Sequence, residues 1–271
     1  MILLEYILCR LVILFIGMLF PNLEKKKVDM METNTEPFRV GISGSIGVGK
    51  TTTANNALRG SYLQLFLDLV AGTDIIPKMK RYHERFEEEL FKKYMADPDS
   101  YALAFQTRIL LNSASLEEEI SKEGGIALID RPFFEHRYVF GEAQYRLGRI
   151  KEEDFQVYND SALRFARTTV PLPDVYVRLR ATVPELQQRI AQRGRPEEQS
   201  MINDAAYLNL LEKLYDDFFA TKVPPVPVID VDTSGMRMNG NGEIDHDYLK
   251  RIYTQITSGI KTLDLPKLRR K

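Results

Sequence analysis

The residues Gly44-Ser45-Ile46-Gly47-Val48-Gly49-Lys50-Thr51 match the pattern G-x-x-x-x-G-K-[ST] in full. Glycines at these places let the backbone turn until several N–H groups converge on one phosphate. Lys50 adds a point charge for the β and γ phosphates, and the Thr51 hydroxyl is a ligand for magnesium, with Thr52 completing the phosphate-facing set. The chemistry is that of a nucleoside triphosphate held with Mg2+. Taken alone, the loop leaves kinase, hydrolase and switch open.

Two further groups extend it. Asp130 follows the apolar run Ile126-Ala127-Leu128-Ile129 and precedes Arg131 and Pro132. A carboxylate at the end of a buried strand stands beside the phosphate loop, where it can hold magnesium or its waters. Arg189 and Arg193 lie four apart, on one face of a helix that Gly194 would end, and Arg195 follows. Three guanidiniums so spaced can converge on a triphosphate and on the charge that develops during transfer.

These residues need a frame. The run Phe38–Ser43 is short, apolar and rich in β-formers, and it leads through the glycine loop into a helix over 51–58. Strand, loop, helix is the context that makes the pattern a P-loop. Four more short apolar runs, 62–67, 126–129, 175–179 and 226–231, lack alternation, as strands covered on both faces do. Helical patterns separate them over 76–95, 99–122, 133–147, 152–168, 183–192, 205–220 and 248–262. The expected fold is α/β: a doubly wound, five-stranded parallel sheet flanked by helices.

Composition sets limits. A net charge of −1 over 271 residues supplies no field to gather nucleic acid. Cys9 is the only cysteine, which excludes an intrachain disulfide and a cysteine-based metal site. His83, His136 and His246 show no ligand spacing. The stretch 230–241 resembles a calcium loop but ends on Asn241 where that loop needs Glu. The uninterrupted apolar run 11–20 is too short to span a bilayer, and extending it takes in Glu5 and Arg10. The expected organisation is an extension at 1–30 with an apolar part at 1–20, a domain at 31–265 and a basic tail at 266–271. Membrane contact is expected only if 1–20 is retained. The expected compartment is cytoplasmic, or mitochondrial or membrane-anchored if the extension acts as a targeting segment.

The stretch Arg189–Gln199, reading RIAQRGRPEEQ, together with PDVYVRL before it and the P-loop, resembles the deoxyribonucleoside kinase family. That family includes the deoxycytidine, deoxyguanosine, deoxyadenosine and mitochondrial-type thymidine kinases. The resemblance implies the P-loop kinase fold, with an arginine-rich lid formed by Arg189, Arg193 and Arg195 over the ATP phosphates. It makes Asp130-Arg131-Pro132 the counterpart of the family's Glu-Arg-Ser motif, with Asp130 assisting magnesium and Arg131 orienting the catalytic carboxylate and the sugar's 5′ end. Gln106, eight residues after Pro98, becomes the reader of the base edge. Glu198 becomes the ligand of the 3′-hydroxyl. Tyr94 stands near the family's sugar-binding tyrosine, although strict spacing falls on Met95.

The general base departs from the pattern. The family shows Glu-Pro at the end of its second strand, whereas the run 62–67 is followed by Asp68. Asp68 is therefore the expected base and a substrate contact, with Asp74 as its fallback. At the places where the deoxycytidine and purine members carry an arginine and an aspartate stand Ser113 and His136. His136 is counted as a substrate contact, and the missing pair favours a thymidine-like or broad pyrimidine pocket. The implied function is ATP-dependent phosphorylation of the 5′-hydroxyl of a deoxyribonucleoside by a homodimer. The alternatives are a nucleoside monophosphate kinase, such as thymidylate kinase, and a degenerate kinase fold serving as a structural subunit.

Overall fold

Five short strands form one parallel sheet in the order β2-β3-β1-β4-β5 in the computed structural model, which describes residues 36–57, 78–222, 226–236 and 244–263. By contacts the chain divides into units at 1–34 and 35–271, and every described residue belongs to the second.

The strands are β1 (Phe38–Ser43), β2 (Met79–Tyr82), β3 (Ile126–Asp130), β4 (Val175–Arg180) and β5 (Val228–Asp232). β1 pairs with β3 on one side and β4 on the other, so the chain enters the glycine loop from the middle of the sheet. The register puts Ile42 beside Asp130, which sets the strand-end carboxylate next to the start of that loop. Helices α1 (Lys50–Ala57), α2 (Glu88–Ala96), α3 (Pro98–Glu123), α5 (Glu152–Thr168), α6 (Val183–Arg193), α7 (Gln199–Ile202), α8 (Ala205–Asp217) and α9 (His246–Thr262) flank the sheet. Between α3 and α5, α4 is composite: α-helical at Phe133–Glu135, π-helical at His136–Gly141 and α-helical again at Glu142–Arg146.

Local chemistry fixes the element ends that matter for the site. Asp97 caps α3 by accepting from Ser100 N, and Pro98 occupies its first turn, where no N–H is needed. The α3 face turned inward carries Ala102, Phe105, Gln106 and Ile109, so Gln106 is carried into the protein by apolar neighbours. Thr182 and Glu185 form a capping box on α6, and Gly194 ends it in the left-handed conformation, redirecting the chain toward Arg195.

Four strands lie where the sequence places them. The run 62–67 lies outside the described residues, and so do Asp68 and Asp74. The strand beside β3 is instead Met79–Tyr82, inside the stretch 76–95 that reads as one helix. Its apolar residues Met79, Tyr82, Phe86 and Leu90 are spaced by three and four, which imitates a helical face. As an edge strand paired only with β3, and only partly buried, it tolerates Lys80 and Arg81 and shows no apolar run. The helix of this region is the shorter α2.

The core has two parts. One joins the sheet to α8 and α9 through residues such as Val40, Val177, Leu211, Tyr215 and Ile252. The other joins α2, α3 and α5 through Tyr94, Phe105, Leu110, Phe155 and Tyr158. Among the described residues, no helix is long and apolar enough to cross a membrane.

Candidate active site

A cavity of about 340 Å3 opens where the glycine loop and β3 face α2 and α3. Its floor is Gly47, Lys50, Thr51, Asp130 and Arg131. Gly44 has φ +132°, and a side chain there would lie 2.4 Å from the Leu179 carbonyl oxygen, so only glycine fits this start of the loop. Lys50 Nζ donates to the carbonyls of Gly44 and Ser45 at 2.7 and 2.9 Å. Burial lowers its pKa to about 8, with the nearby Arg131 adding to the shift. Thr51 Oγ1 donates to Asp130 Oδ2 at 2.6 Å.

Arg131 follows directly and is the one non-glycine among the described residues with positive φ, at +62°. Its N–H donates to Ile42 O at 3.1 Å, closing the chain's exit from the sheet. Pro132 fills the space above Gly41, where an added side chain would meet its ring at 2.7 Å. Pro132 therefore packs against the sheet at the place of the family's serine. The Arg131 guanidinium turns back over the Phe140 ring, 4.1 Å from its centroid, and Nη1 donates to both oxygens of Glu84. Burial alone would raise the Glu84 pKa; the cations Arg131 and Lys50 outweigh it and hold the carboxyl below its ordinary value.

Glu84 is the functional candidate that sequence reasoning missed. It follows β2 by two residues, and β2 hides in a helical spacing. The available signal was a carboxylate two residues beyond the β-former Tyr82.

His136 is buried and stands with Nδ1 3.7 Å from Glu84 Oε1. Burial holds its pKa near 4, so the ring is neutral at ordinary pH. The π-helical turn sets its place. A π turn displaces backbone hydrogen bonding, and the Tyr158 hydroxyl on α5 donates to the His136 carbonyl at 2.9 Å. Gly141 closes that turn against Tyr158, where an added side chain would come within 2.5 Å of the ring.

The opposite wall is aromatic. Phe86, Phe91 and Phe105 follow one another at 5.0 and 5.6 Å between centroids, and Tyr94 stacks on Phe105 at 4.6 Å. Gln106 lies beside them, 2% exposed, with Oε1 lacking any hydrogen-bond partner. A buried amide oxygen without a partner is costly unless a ligand supplies one. The Tyr94 hydroxyl pairs with Tyr207, which accepts from Gln144 Nε2 at 3.2 Å.

At the mouth, the buried Glu198 carboxylate is met by Arg193 Nη2 at 2.5 Å and Arg195 Nη1 at 3.4 Å. The three arginines expected to converge on the phosphates lie apart in this structure. Arg193 and Arg195 line the cavity, whereas Arg189 does not. Arg189 is buried beneath the loop, donating to the Val48 carbonyl at 3.3 Å and to Thr233 Oγ1 at 3.1 Å. The α6 face that carries Arg189 packs on the glycine loop, while Gly194 turns the chain so that Arg195 points into the mouth beside Arg193.

The structure thus brings together Lys50, Thr51, Tyr94, Gln106, Asp130, Arg131, His136, Arg193, Arg195 and Glu198, and adds Glu84. Hard-oxygen donors, fixed cations, an aromatic slot and an unpartnered amide in one cavity suit phosphate at one end and a planar polar ring at the other.

The profile of the deoxynucleoside kinase family matches residues 40–258. The chain is 22% identical over 231 residues to a probable deoxycytidine kinase of fowlpox virus, covering 83% of this chain and 87% of the relative. It is 31% identical over 133 residues to subunit 10 of the mouse NADH dehydrogenase 1 alpha subcomplex, a mitochondrial protein, covering 47% of this chain and 35% of the relative. Among solved structures, a deoxyadenosine kinase of M. mycoides with products dCMP and a flexible dCDP superposes with a TM-score of 0.61 at 22% identity, covering 83% of this chain and 100% of the other. That likeness shows the fold, the P-loop kinase fold with its all-parallel sheet. With the profile matched over most of its length, the chain belongs to the deoxynucleoside kinase family, phosphotransferases that convert a nucleoside to its monophosphate with a nucleotide as phosphate donor.

Proposed function

We propose that the chain transfers the γ-phosphoryl group of ATP to the 5′-hydroxyl of a deoxyribonucleoside, with Glu84 as the general base. The observation that carries this reading is the Glu84 carboxylate, held ionised by Arg131 inside the cavity that also contains Lys50 and Gln106. A base must be ionised before the transition state and within reach of the proton it removes. Glu84 meets the first condition through its charge partners and the second through its place between phosphate loop and aromatic slot.

The remaining roles follow from chemistry. Lys50 leaves the Gly44 and Ser45 carbonyls for the β and γ phosphates, and Arg193 and Arg195 neutralise charge on the transferring group. Arg189 keeps the loop in place through Val48. Arg131 positions Glu84, and His136 backs it from the buried side. Gln106 pairs with the base edge while Phe86, Phe91 and Phe105 hold the ring, and Glu198 takes the sugar's 3′-hydroxyl with Tyr94 beside it. Neither His136, turned toward Glu84, nor Ser113 supplies the arginine–aspartate pair of the deoxycytidine and purine members. A thymidine-like pyrimidine is accordingly the expected acceptor.

The Thr51 hydroxyl and Asp130 carboxylate are hard oxygen donors 2.6 Å apart, which fits Mg2+. Magnesium uses one or two protein oxygens and completes its shell with phosphate and water. When bound, the ion would neutralise phosphate charge during transfer.

Exposed Leu111 on α3 and Val157 on α5 support pairing of two copies through these helices. We place the enzyme in the cytoplasm, a reading that sequencing the N-terminus of the native protein would test.

The test of the function is a panel of thymidine, deoxycytidine, deoxyadenosine, deoxyguanosine and thymidylate with ATP and Mg2+. At least one nucleoside should be converted to its 5′-monophosphate. Conversion of thymidylate alone would give the role to a monophosphate kinase, and conversion of none would give it to a structural subunit.

A further inference from the structure

Behind the phosphate loop lies a carboxyl group that the mechanism above does not use. Glu135, on the first turn of α4, is fully buried. Ser43 Oγ, at the end of β1, donates to its Oε1 at 2.6 Å. Its Oε2 lies 2.6 Å from the Tyr215 hydroxyl oxygen on α8, and that same oxygen lies 2.9 Å from the Gly44 carbonyl oxygen.

These distances contain a proton count. A phenol has one hydrogen to give, and a backbone carbonyl has none. The Tyr215 hydrogen satisfies one of its two oxygen neighbours, so the other contact needs a hydrogen from elsewhere. Only Glu135 can supply it. As a carboxylic acid it donates to Tyr215, Tyr215 donates to Gly44, and Ser43 donates to the second carboxyl oxygen. Every hydrogen is then placed and every oxygen satisfied. As a carboxylate, Glu135 claims the Tyr215 hydrogen and leaves two lone-pair oxygens facing each other at 2.9 Å.

Burial favours the same form, raising the Glu135 pKa to about 7, with Lys50, Ser43, Tyr215 and Arg131 pulling the other way. The titratable and charged groups around it are Lys50 from α1, Arg131 from the turn after β3, Tyr176 from β4 and Tyr215 from α8, with Glu212 acting on Tyr215. The two cations lower the pKa without removing the need for a donor to Tyr215.

The Gly44 carbonyl also accepts from Lys50 at 2.7 Å. Lys50 must leave it to reach the phosphates, and Tyr215 is then the contact that remains. We propose that Glu135 is a positioning residue: as an un-ionised acid it begins a relay through Tyr215 that holds the Gly44 carbonyl, and with it the phosphate loop, while Lys50 turns to the nucleotide. Ionisation of Glu135 takes the Tyr215 hydrogen and frees the carbonyl. The relay acts on donor binding at the site of the proposed kinase and rests on that reading.

The test is ATP affinity, measured by calorimetry on the full chain without acceptor, so that the proposed kinase reaction does not enter. For the wild type, Kd should rise about fivefold between about pH 6 and about pH 7.5, the scale of one hydrogen bond. Glu135→Gln keeps a donor for Tyr215 and an acceptor for Ser43. It should bind as the wild type does at the lower pH and hold that affinity at the higher one. Tyr215→Phe, which removes one oxygen and leaves no cavity, should bind about fivefold more weakly at the lower pH and show no change with pH over this range. A pH-independent wild type, a Glu135→Gln variant that keeps the wild-type pH dependence, or full affinity in Tyr215→Phe overturns the relay. A wild type that binds no ATP at any pH overturns the kinase reading itself.

Discussion

Arg131 places a single nitrogen, Nη1, against both carboxylate oxygens of Glu84, at 2.9 and 2.8 Å. The contact joins the turn after β3 to the turn after β2, and the positive φ of Arg131 belongs to it. A residue held in that region costs of order 1–3 kcal/mol and persists only where its surroundings over-determine it. Here the Ile42 hydrogen bond, the Phe140 face and Glu84 do so together.

The pair gives a pH profile. A carboxyl held below its ordinary value stays ionised at mild acidity, so kcat/KM for the nucleoside at saturating ATP should stay level as pH falls and fail only below about 4.5. Arg131→Met removes the main counter-charge. It should lower kcat about 10²-fold and move the acid limb upward, since burial is then less opposed. An unmoved limb in a folded variant would separate Arg131 from the base.

Gln106 should act on the acceptor alone. Gln106→Met keeps an unbranched side chain of similar length and removes the unpartnered amide, so KM for the nucleoside should rise about 10- to 100-fold, the worth of one to two buried hydrogen bonds. ATP affinity should not change. Equal effects on both substrates would point to a packing defect instead.

How far the sequence revealed this site follows from where each residue sits. The glycine loop, Lys50, Thr51 and Asp130 were legible because a loop that wraps phosphate allows few residue types. Their strands are buried on both sides and read as apolar runs. Gln106, Arg193, Arg195 and Glu198 were legible through resemblance, and the fold puts them in one cavity. Glu84 was not, because an edge strand written Met79-Lys80-Arg81-Tyr82 has one ladder and neither alternation nor an apolar run. The contacts of Arg189 with Val48 and Thr233 were not legible, because helical spacing shows which residues share a face but not what that face packs on. The π turn at His136–Gly141 has no sequence signature beyond the glycine that Tyr158 leaves room for.

That turn is testable. Gly141→Ala would drive a methyl into the Tyr158 ring and crowd the His136 carbonyl, 3.0 Å away. Overpacking of this kind costs roughly 1–3 kcal/mol, seen in a denaturant melt. Tyr158→Phe leaves the His136 carbonyl without its donor and should cost about 1 kcal/mol. A Gly141→Ala variant as stable as the wild type would mean that the turn is not held by this contact.

His136 makes acid stability measurable. Its folded pKa near 4 lies below its ordinary 6.5, so between these values the unfolded chain binds a proton that the folded chain refuses. Stability contributed by the neutral ring is therefore complete above about pH 6.5 and lost as pH falls toward 4, by up to roughly 3 kcal/mol. Glu135 titrates in the opposite sense nearby, so the comparison needs His136→Asn, whose acid loss between these pH values should be smaller than that of the wild type. An identical decline would assign the loss to other groups.

The most direct measurement is single-turnover phosphoryl transfer by Glu84→Gln beside Asp68→Asn, with ATP affinity recorded for each. If Glu84 is the base, its variant should lose 10²-fold or more in rate, on the scale of general-base catalysis, while binding ATP as before, and Asp68→Asn should stay within about threefold of wild type. A Glu84→Gln enzyme that transfers phosphate at the wild-type rate, with Asp68→Asn inactive, would contradict the assignment.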